Sequence, residues 1–179
     1  MPRPMTKNGP DIMMAVLNPE GIYACTKRGF HIMTTPLSGD HQLMLDQVDG
    51  FIRGKTELGD KGKDLTLSLS RVAFIAKNES DRKEKIEMAN EYYSRFDNVF
   101  TGPGIVNNGM IEVLPRKQSI EELAESLLIC TADEMIDKLS PYQKAGIDRV
   151  ILNMNFGASH KETMVSIQHF AEKVTPYFS

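Results

Sequence analysis

A short apolar run between two helical segments constrains the fold of this chain more than any other feature. Residues 145–163 read AGIDRVILNMNFGASHKET. The run at 150–154 is too short for a helix and lies between two glycines, which predicts a buried strand. Helical periodicity precedes it over 132–145 and follows it over 161–174. This alternation is typical of a parallel sheet in an α/β protein.

Both flanking helices are predicted to turn one apolar stripe toward the core. The stripe of the first helix consists of Met135, Ile136, Leu139 and Tyr142, and that of the second of Met164, Ile167, Ala171 and Val174. Their spacing follows the 3.6-residue period of an α-helix. We therefore expect both helices to cover the strand that lies between them.

Three earlier segments repeat this pattern of a strand followed by a helix. Apolar strands are predicted at 12–17, 30–34 and 65–76, the last beginning half-solvated at 65–70 and then entering the core. Asn18 and Pro19 predict the start of the helix at 19–28, which Gly29 ends. Four strands, each with at least one helix after it, form either half of a (β/α)8 barrel or a small open sheet.

The connections between these units are predicted with less regular structure. Residues 44–52 form a core-facing helix, 54–64 are expected to be a surface connection, and Asn78 or Ser80 caps the helix after the third strand. The stretch 101–118 has three glycines and two prolines and is expected to be a loop. Ser119 and Glu122 form a capping box, and Thr131 caps the next helix.

Length and composition place the chain among single-domain proteins without nucleic-acid partners. The 179 residues suffice for one core, so we expect an irregular leader at 1–11 and one half-barrel domain at 12–179. The net charge of -3 comes from interspersed acids and bases, which excludes a basic stripe for a phosphate backbone. No apolar run is long enough for a membrane span. Cys25 and Cys130 stand apart, so we expect neither zinc nor a disulfide, and a cytoplasmic location.

The histidines leave two readings open. His31 falls within a predicted strand and is interpreted as a core residue. His160 begins a predicted helix after a strand, so it either faces a ligand or is a surface group. His41 and His169 lie on predicted helices without a carboxylate or cysteine at the spacing of a metal site, so no metal site is predicted.

Three segments of the chain together resemble the bacterial-luciferase-like, flavin-dependent monooxygenase family, in the second, carboxyl-terminal half of its barrel. At 10–39 the chain reads PDIMMAVLNPEGIYACTKRGFHIMTTPLSG, and at 72–85 it reads VAFIAKNESDRKEK. The third segment, residues 127–178, begins LLICTADEM, continues through AGIDRVIL and ends FAEKVTPYF. The order and spacing of the three segments carry the resemblance.

The resemblance implies an FMN-dependent enzyme that oxidises a small organic substrate with O2 through a flavin peroxide. It implies that FMN lies at the carboxyl ends of the strands, with its phosphate at the turn after the first strand of this chain. That turn holds Leu17, Asn18, Pro19, Glu20 and Gly21, of which Leu17, Asn18, Glu20 and Gly21 are the candidate cofactor-binding residues. A helix N-terminus favours an anion, which agrees with this placement. The implied partners are a second half-barrel chain or another copy of this one, and a flavin reductase.

The chain departs from the family pattern at this turn. Leu17 and Asn18 stand where the family has two serines, and Glu20 repels a phosphate unless its carboxylate is turned away. The first four barrel strands of the family, with its catalytic positions, have no counterpart here, so no catalytic residue is assigned. The alternative is a non-catalytic half-barrel, kept for assembly or as a flavin-binding relic.

Overall fold

The computed structural model describes residue 5, residues 9–39 and residues 41–178. Most of the predicted leader therefore lies outside the described residues, namely residues 1–4 and 6–8. The chain divides into two compact units, one from Met1–Ser70 with Tyr142–Ile151 and the other from Arg71–Pro141 with Leu152–Ser179. The expectation of one domain stays a prediction, and each unit is described by itself.

The helices and strands follow the predicted alternation. The strands are β1 (Met13–Ala15), β2 (His31–Thr34), β3 (Leu67–Ile75), β4 (Val106–Asn107), β5 (Met110–Ile111), β6 (Leu128–Cys130) and β7 (Arg149–Asn153). The α-helices are α1 (Pro19–Thr26), α2 (His41–Leu58), α3 (Glu79–Phe100), α4 (Ile120–Ser126), α5 (Ala132–Lys144) and α6 (His160–Lys173). Short 3-10 turns follow α2 at Gly59–Gly62 and α6 at Thr175–Tyr177.

The first unit is built on parallel strands. β1 pairs with β2 and β2 with β3, so that Met14 lies beside Ile32 and Ile32 beside Leu67. β7 also pairs with β3, and the Asp148 carboxylate accepts a hydrogen bond of 2.7 Å from the Leu67 amide. The core of this unit includes Ile22, Ile32, Met44, Val48, Phe51, Leu67 and Leu69.

Two glycines allow α1 and α2 to pack closely in this unit. A Cβ atom at Gly50 would overlap the Pro19 carbonyl oxygen, and a Cβ at Gly54 would lie 2.6 Å from the Cβ of Thr26. Helix α2 also extends to Leu58, so the predicted surface connection from residue 54 is wrong over its first turn. The α-helical period simply continues through polar residues there, because helices need apolar positions on only one face.

The second unit continues β3 into a closed core. The end of β3 pairs in parallel with β6, which places Ala73 beside Leu128 and Ile75 beside Cys130. β6 was not among the four predicted strands, because three residues are too few to show a period. The core of the second unit includes Ala73, Phe74, Ile75, Ile86, Ala89, Leu123, Leu127, Leu128, Ile129 and Met135.

A buried lysine joins α3 to α6 in the second unit. The Lys85 side chain is 0% exposed, and its ammonium lies 2.7 Å from Glu162, 2.9 Å from Glu84 and 3.4 Å from Asp81. Burial alone would lower the pKa of Lys85, but the hydrogen bonds to Glu162 and Glu84 outweigh it and raise the pKa. Helix α6 is also fixed at Ser166, whose hydroxyl accepts a 2.7 Å hydrogen bond from the Ile75 amide.

The stability of this unit should depend on pH through Glu162. Hydrogen bonds from Lys85 and Ser159 lower the pKa of Glu162 from 4.5 to about 2. A carboxylate whose pKa is lowered by folding stabilises the folded chain at pH values above its ordinary pKa. This contribution is lost as the pH falls through the pKa of the folded state. We therefore expect the Glu162→Gln variant to be less stable than the wild type at pH 7, with a difference that shrinks between pH 4.5 and about 2.

Urea titrations of both proteins across this pH range measure the difference. Glu87→Gln is the matched control, because Glu87 is an exposed carboxylate on α3. A Glu162→Gln difference that stays constant from neutral to acid pH would contradict the ion pair.

The stretch 101–118 is not a featureless loop. β4 and β5 form an antiparallel hairpin in which Val106 pairs with Ile111, and Asn108 and Gly109 turn it with positive φ angles. The Asn98 side chain bonds both backbone groups of Ile105, at 2.9 Å each, which holds the hairpin against α3. The prediction was wrong because Asn-Gly is itself a strong signal for a two-residue hairpin turn.

Several segments predicted to be buried are exposed, and one predicted to be half-solvated is buried. Met13 in β1 is 42% exposed, and β7 alternates exposed and intermediate positions. On α6, Met164, Ile167 and Ala171 face solvent, and only Val174 of the predicted stripe is buried. The stretch at 67–70 is largely covered instead. Periodicity identifies an apolar face correctly without showing what covers it.

The predicted fold class, parallel strands alternating with helices, is confirmed. Among the described helices, none combines the length and the apolar character that crossing a membrane requires.

Candidate functional site

The predicted cofactor-binding residues lie together at the start of α1 in the first unit. They follow the carboxyl end of β1, and Asn18 is the N-cap of the helix. The Asn18 Oδ1 atom accepts hydrogen bonds from the amides of Glu20, at 2.9 Å, and Gly21, at 3.2 Å. Asn18 and Glu20 are exposed, and Gly21 is half-buried. The helix tip thus presents two convergent amide donors at the surface of this unit.

The charge at this tip differs from what the sequence suggests. The Glu20 carboxylate pairs with the Arg53 guanidinium at 2.6 Å, and Arg53 also bonds Asp49 at 2.8 Å. Glu20 is therefore turned toward α2, and a cation partly neutralises it. The hydrogen bond to Glu20 raises the pKa of Arg53. The repulsion expected between Glu20 and an anion at the tip is correspondingly weaker.

A buried glutamine fixes the turn that leads into the tip. The Gln47 side chain on α2 donates hydrogen bonds to the carbonyls of Leu17, at 2.8 Å, and Thr35, at 3.0 Å. These carbonyls follow the carboxyl ends of β1 and β2, so one amide group ties the two connections together. The Gln47 Oε1 atom is buried without a hydrogen-bond partner in the described residues. The Leu17 side chain remains exposed.

Sequence reasoning missed Arg53, Gln47 and Gly50, all on α2. Arg53 lies 33 residues from its partner Glu20, and no local pattern joins residues so far apart. The signal that was present is Gly50 inside an otherwise regular helix, since an interior glycine costs helix stability and commonly marks a close approach.

The arrangement at the tip suits one small anionic group. The amides of the first turn and the positive end of the helix favour negative charge. Asn18 Oδ1 now accepts from the two amides, so a phosphate oxygen would take the place of this atom after the side chain rotates away. Pro19 has no amide hydrogen, which limits the donors to Glu20 and Gly21. The two amides therefore fit a phosphate. Two serines at the positions of Leu17 and Asn18 would add hydroxyl donors that this turn lacks.

The other candidate side chains lie elsewhere. The His31 Nδ1 atom accepts a hydrogen bond of 3.1 Å from the Thr66 amide, beside β2 and β3 in the first unit. His160 is the exposed first residue of α6 in the second unit. Among the described residues, no three histidine, cysteine or acidic side chains converge in the manner of a metal site. Cys25 and Cys130 are free, and burial raises the pKa of Cys130 to about 11.

Comparison with known proteins connects the fold to flavin enzymes. No protein-family model matches the chain. The oxygenase component of a flavin-dependent trigonelline monooxygenase from Acinetobacter baylyi is 24% identical over 186 residues, which include 99% of this chain and 51% of the relative. The resemblance to flavin-dependent monooxygenases is confirmed. The chain spans about half the length of this relative.

Solved structures show the same fold over the same share of length. A monooxygenase from Streptomyces bottropensis matches with a TM-score of 0.68 and 16% identity, over 100% of this chain and 51% of the other. The oxygenating constituent of a Baeyer-Villiger monooxygenase from Pseudomonas putida, in complex with FMN, gives a TM-score of 0.60 and 15% identity, over 94% and 49%.

A third structure separates fold from chemistry. An F420-dependent secondary alcohol dehydrogenase matches with a TM-score of 0.67 and 15% identity, over 94% of this chain and 49% of the other. This fold therefore carries more than one reaction, so that function must be argued from the site. The half-length matches agree with the predicted half of a (β/α)8 barrel.

Proposed function

We propose that this chain is part of the oxygenase of an FMN-dependent monooxygenase that oxidises a small organic substrate with O2. The observation that carries the proposal is the pair of convergent amides at the tip of α1, in a chain that matches a flavin-dependent oxygenase component over nearly all its length. When bound, reduced FMN supplies the electrons and the site at which O2 reacts. The protein binds and orients the cofactor and excludes water.

Each residue at the tip has a distinct role in this proposal. The Glu20 and Gly21 amides donate to the FMN phosphate, while Arg53 keeps the Glu20 carboxylate turned aside. Gln47 holds the Leu17 carbonyl and thereby the direction in which the turn enters α1. Gly21 has no room for a side chain, because a Cβ would lie 2.9 Å from a methyl group of Val16. The catalytic groups remain unassigned.

The Asn18→Asp variant tests the position of the phosphate. Aspartate caps a helix about as well as asparagine, so the stability of the chain should change by less than about 0.5 kcal/mol. In the variant, the phosphate must displace a carboxylate that the two first-turn amides bind more strongly than the Asn18 amide oxygen, and a carboxylate that stays near the dianion adds about 1 kcal/mol or more per charge pair at contact distance. We therefore expect FMN to bind at least about 10-fold more weakly to the variant, measured by titration of flavin fluorescence.

Asn78→Asp is the matched control, because Asn78 caps α3 in the same way, with its side chain accepting from the Asp81 amide at 2.9 Å. FMN affinity should be unchanged in this variant. FMN bound by the wild type should also raise its melting temperature, since a ligand at 100 times its Kd stabilises by about 2.7 kcal/mol. If FMN causes neither a fluorescence change nor a rise in the melting temperature of the wild type, the proposal is refuted. Equal losses of FMN affinity in both variants would refute the location of the phosphate site.

The proposal includes two kinds of protein partner. The relative is named as an oxygenase component, which supports a separate flavin reductase that supplies reduced FMN. The half-length match supports association with a second half-barrel, either another chain or another copy. The cytoplasmic location stays a prediction from the two free cysteines.

One observation favours a second candidate function, a non-catalytic half-barrel kept for assembly or as a flavin-binding relic. Asn18 already satisfies both amide donors, and Leu17 contributes no hydroxyl. A wild-type chain that forms a stable complex with its other half and binds no FMN would establish this alternative.

A further inference from the structure

The segment from the end of α3 through the β4–β5 hairpin, within the second unit, is apolar although it is exposed. Residues 99–111 contain no charged residue, whereas charged residues make up 25% of the chain. A segment that only connects two elements is normally polar. The exposed apolar side chains of this segment, which we name the hairpin patch, are Val99, Phe100, Ile105, Val106, Met110, Ile111 and Val113.

Side chains of α3 fix the hairpin in place. Asn98 bonds both backbone groups of Ile105 at 2.9 Å each, and the Ser94 hydroxyl accepts a 2.6 Å hydrogen bond from the Leu114 amide. A two-stranded hairpin is marginally stable on its own in water, so these bonds contribute much of its order. The hairpin patch is therefore preorganised, which lowers the entropic cost of binding a partner.

The register of the hairpin turns the backbone of Val106 outward. The Glu112 amide donates to the Ile105 carbonyl at 3.0 Å, so these two residues form a hydrogen-bonded pair of the antiparallel ladder. Such pairs alternate with pairs whose amides and carbonyls point away from the other strand, and the next pair is Val106 with Ile111. On the β5 side, the Ile111 carbonyl accepts from Arg95 at 3.1 Å. On the β4 side, the backbone groups of Val106 point to the edge of the hairpin.

The β4 edge lacks the features that usually protect an edge strand. Native proteins block exposed edges with charged side chains, proline or bulges. β4 consists of Val106 and Asn107, and Val106 is 60% exposed. In the part of the chain that the structure describes, the sheet neighbour of β4 is β5 alone. An apolar edge of this kind is a site at which another strand can pair.

The lack of charge favours a second copy of this chain as the partner. In an interface between two copies, a residue at the two-fold axis lies beside itself, so a charged residue there meets its own charge. The uncharged run at 99–111 avoids this repulsion. Interfaces between different proteins commonly use complementary charges, which this run does not provide.

The size of the hairpin patch also fits a dimer. Its side chains are each 38–68% exposed. Together they present roughly 600 Å² of apolar surface. A specific interface takes about 800 Å² from each partner, and the exposed polar residues Thr101, Asn107 and Asn108 supply part of the remainder. Because this area is at the lower end for specific interfaces, we expect a Kd on the order of micromolar.

We propose that two copies of this chain associate through the hairpin patch, with β4 pairing antiparallel to β4 of the second copy about a two-fold axis at Val106. The Val106 amide of each copy donates to the Val106 carbonyl of the other, which joins the two hairpins into a four-stranded sheet. The two Val106 side chains lie side by side, on the face that also carries Ile111. This inference goes beyond the proposed function, since it involves neither FMN nor the residues at the tip of α1.

Light scattering after size-exclusion chromatography tests the proposal on the chain without flavin. We expect the wild type to change from monomer to dimer between about 1 and 100 μM. An unpaired charge buried in an apolar contact costs more than the 1.4 kcal/mol of a tenfold change. Val106→Lys and Val106→Glu should therefore each raise the Kd of the dimer at least about tenfold.

A mixture of these two variants tests whether Val106 lies at the two-fold axis. In a mixed dimer, lysine on one copy faces glutamate on the other, so the like-charge repulsion is replaced by attraction. We expect mixed dimers to form with higher affinity than the dimers of either variant alone, as measured by native mass spectrometry. A dimer that does not place Val106 beside itself would show no such recovery.

Met164→Lys is the matched control, because Met164 is 51% exposed on α6, outside the hairpin patch. This variant should leave the Kd of the dimer unchanged. The unfolding midpoints of all three variants in urea should match that of the wild type, since the replaced side chains are at least half-exposed in the free chain. The midpoints separate a loss of association from a loss of folding.

Three outcomes would overturn the proposal. They are a wild type that stays monomeric up to about 100 μM, an equal rise of the Kd in Met164→Lys, and a mixture of the two Val106 variants without recovery. A monomer that binds FMN contradicts the hairpin dimer and leaves the proposed function intact. A dimer that behaves as expected but binds no FMN contradicts the proposed function and leaves the hairpin dimer intact.

Discussion

Replacing Lys85 by methionine is expected to lower the free energy of unfolding by about 3 kcal/mol, the lower end of the range for breaking a buried ion pair. Methionine fills a similar volume, so the loss comes from charge and not from a cavity. Glu162, Glu84 and Asp81 would lose the cation that they share. These carboxylates keep some contact with water, which is why the expected cost is not larger. Urea denaturation at pH 7 measures the change.

Lys83→Met is the matched control on the same helix. Lys83 is exposed, two residues before Lys85, and its replacement should change the stability by less than about 0.5 kcal/mol. If Lys85→Met were as stable as Lys83→Met, the joint between α3 and α6 would have to depend on its apolar contacts alone. Beside this joint, the ring of Phe74 in β3 packs edge-on against Phe156 in the loop before α6, at 6.0 Å between ring centroids.

Local signals in the sequence predicted the helix starts well. Asn18 and Asn78 accept hydrogen bonds from first-turn amides, and Ser119 with Glu122 forms the expected capping box. Thr131 accepts from the Glu134 amide at 3.4 Å. Gly29 adopts the positive φ angle that ends α1. Caps are predictable because donor and acceptor lie within three residues of each other.

The interactions that fix the site and the helix rotations were not predictable in this way. Lys85 and Glu162 are 77 residues apart, and Arg53 and Glu20 are 33 apart. A run of charges such as the one from Asp81 to Lys85 is typical of a solvated helix face. One lysine in that run is nevertheless fully buried. Only the packing of α6 on α3 distinguishes it from its neighbours.

At the candidate site too, local signals were predictable from the sequence and long-range contacts were not. Asn18 and Pro19, at the end of a predicted strand, predicted the start of α1. The family resemblance predicted that this helix tip binds the cofactor. The occupancy of the two amides by the Asn18 side chain follows from the same capping chemistry that identified the helix start. The neutralising role of Arg53 and the bridge through Gln47 depend on how α2 lies against α1. That contact in turn depends on two glycines.

Gly50→Ala should destabilise the chain by about 2 kcal/mol, although alanine is ordinarily preferred to glycine in a helix by about 1 kcal/mol. The added methyl group would overlap the Pro19 carbonyl oxygen and lie 3.2 Å from the Pro19 carbonyl carbon. Backbone atoms cannot rotate away as a side chain can, so α1 must move off α2. The displacement would also strain the hydrogen bond from Gln47 to the Leu17 carbonyl.

Urea denaturation measures the loss of stability, and hydrogen exchange at the Glu20 and Gly21 amides measures the displacement of the tip. Thr56→Ala, at an exposed position later in α2, is the control for helix propensity and should be neutral or stabilising. If Gly50→Ala behaved like this control, with unchanged exchange at both amides, α1 and α2 would have room between them and the close approach could not position the tip. A loss of stability with faster exchange would show that a glycine on α2 sets the place where the proposed phosphate site begins.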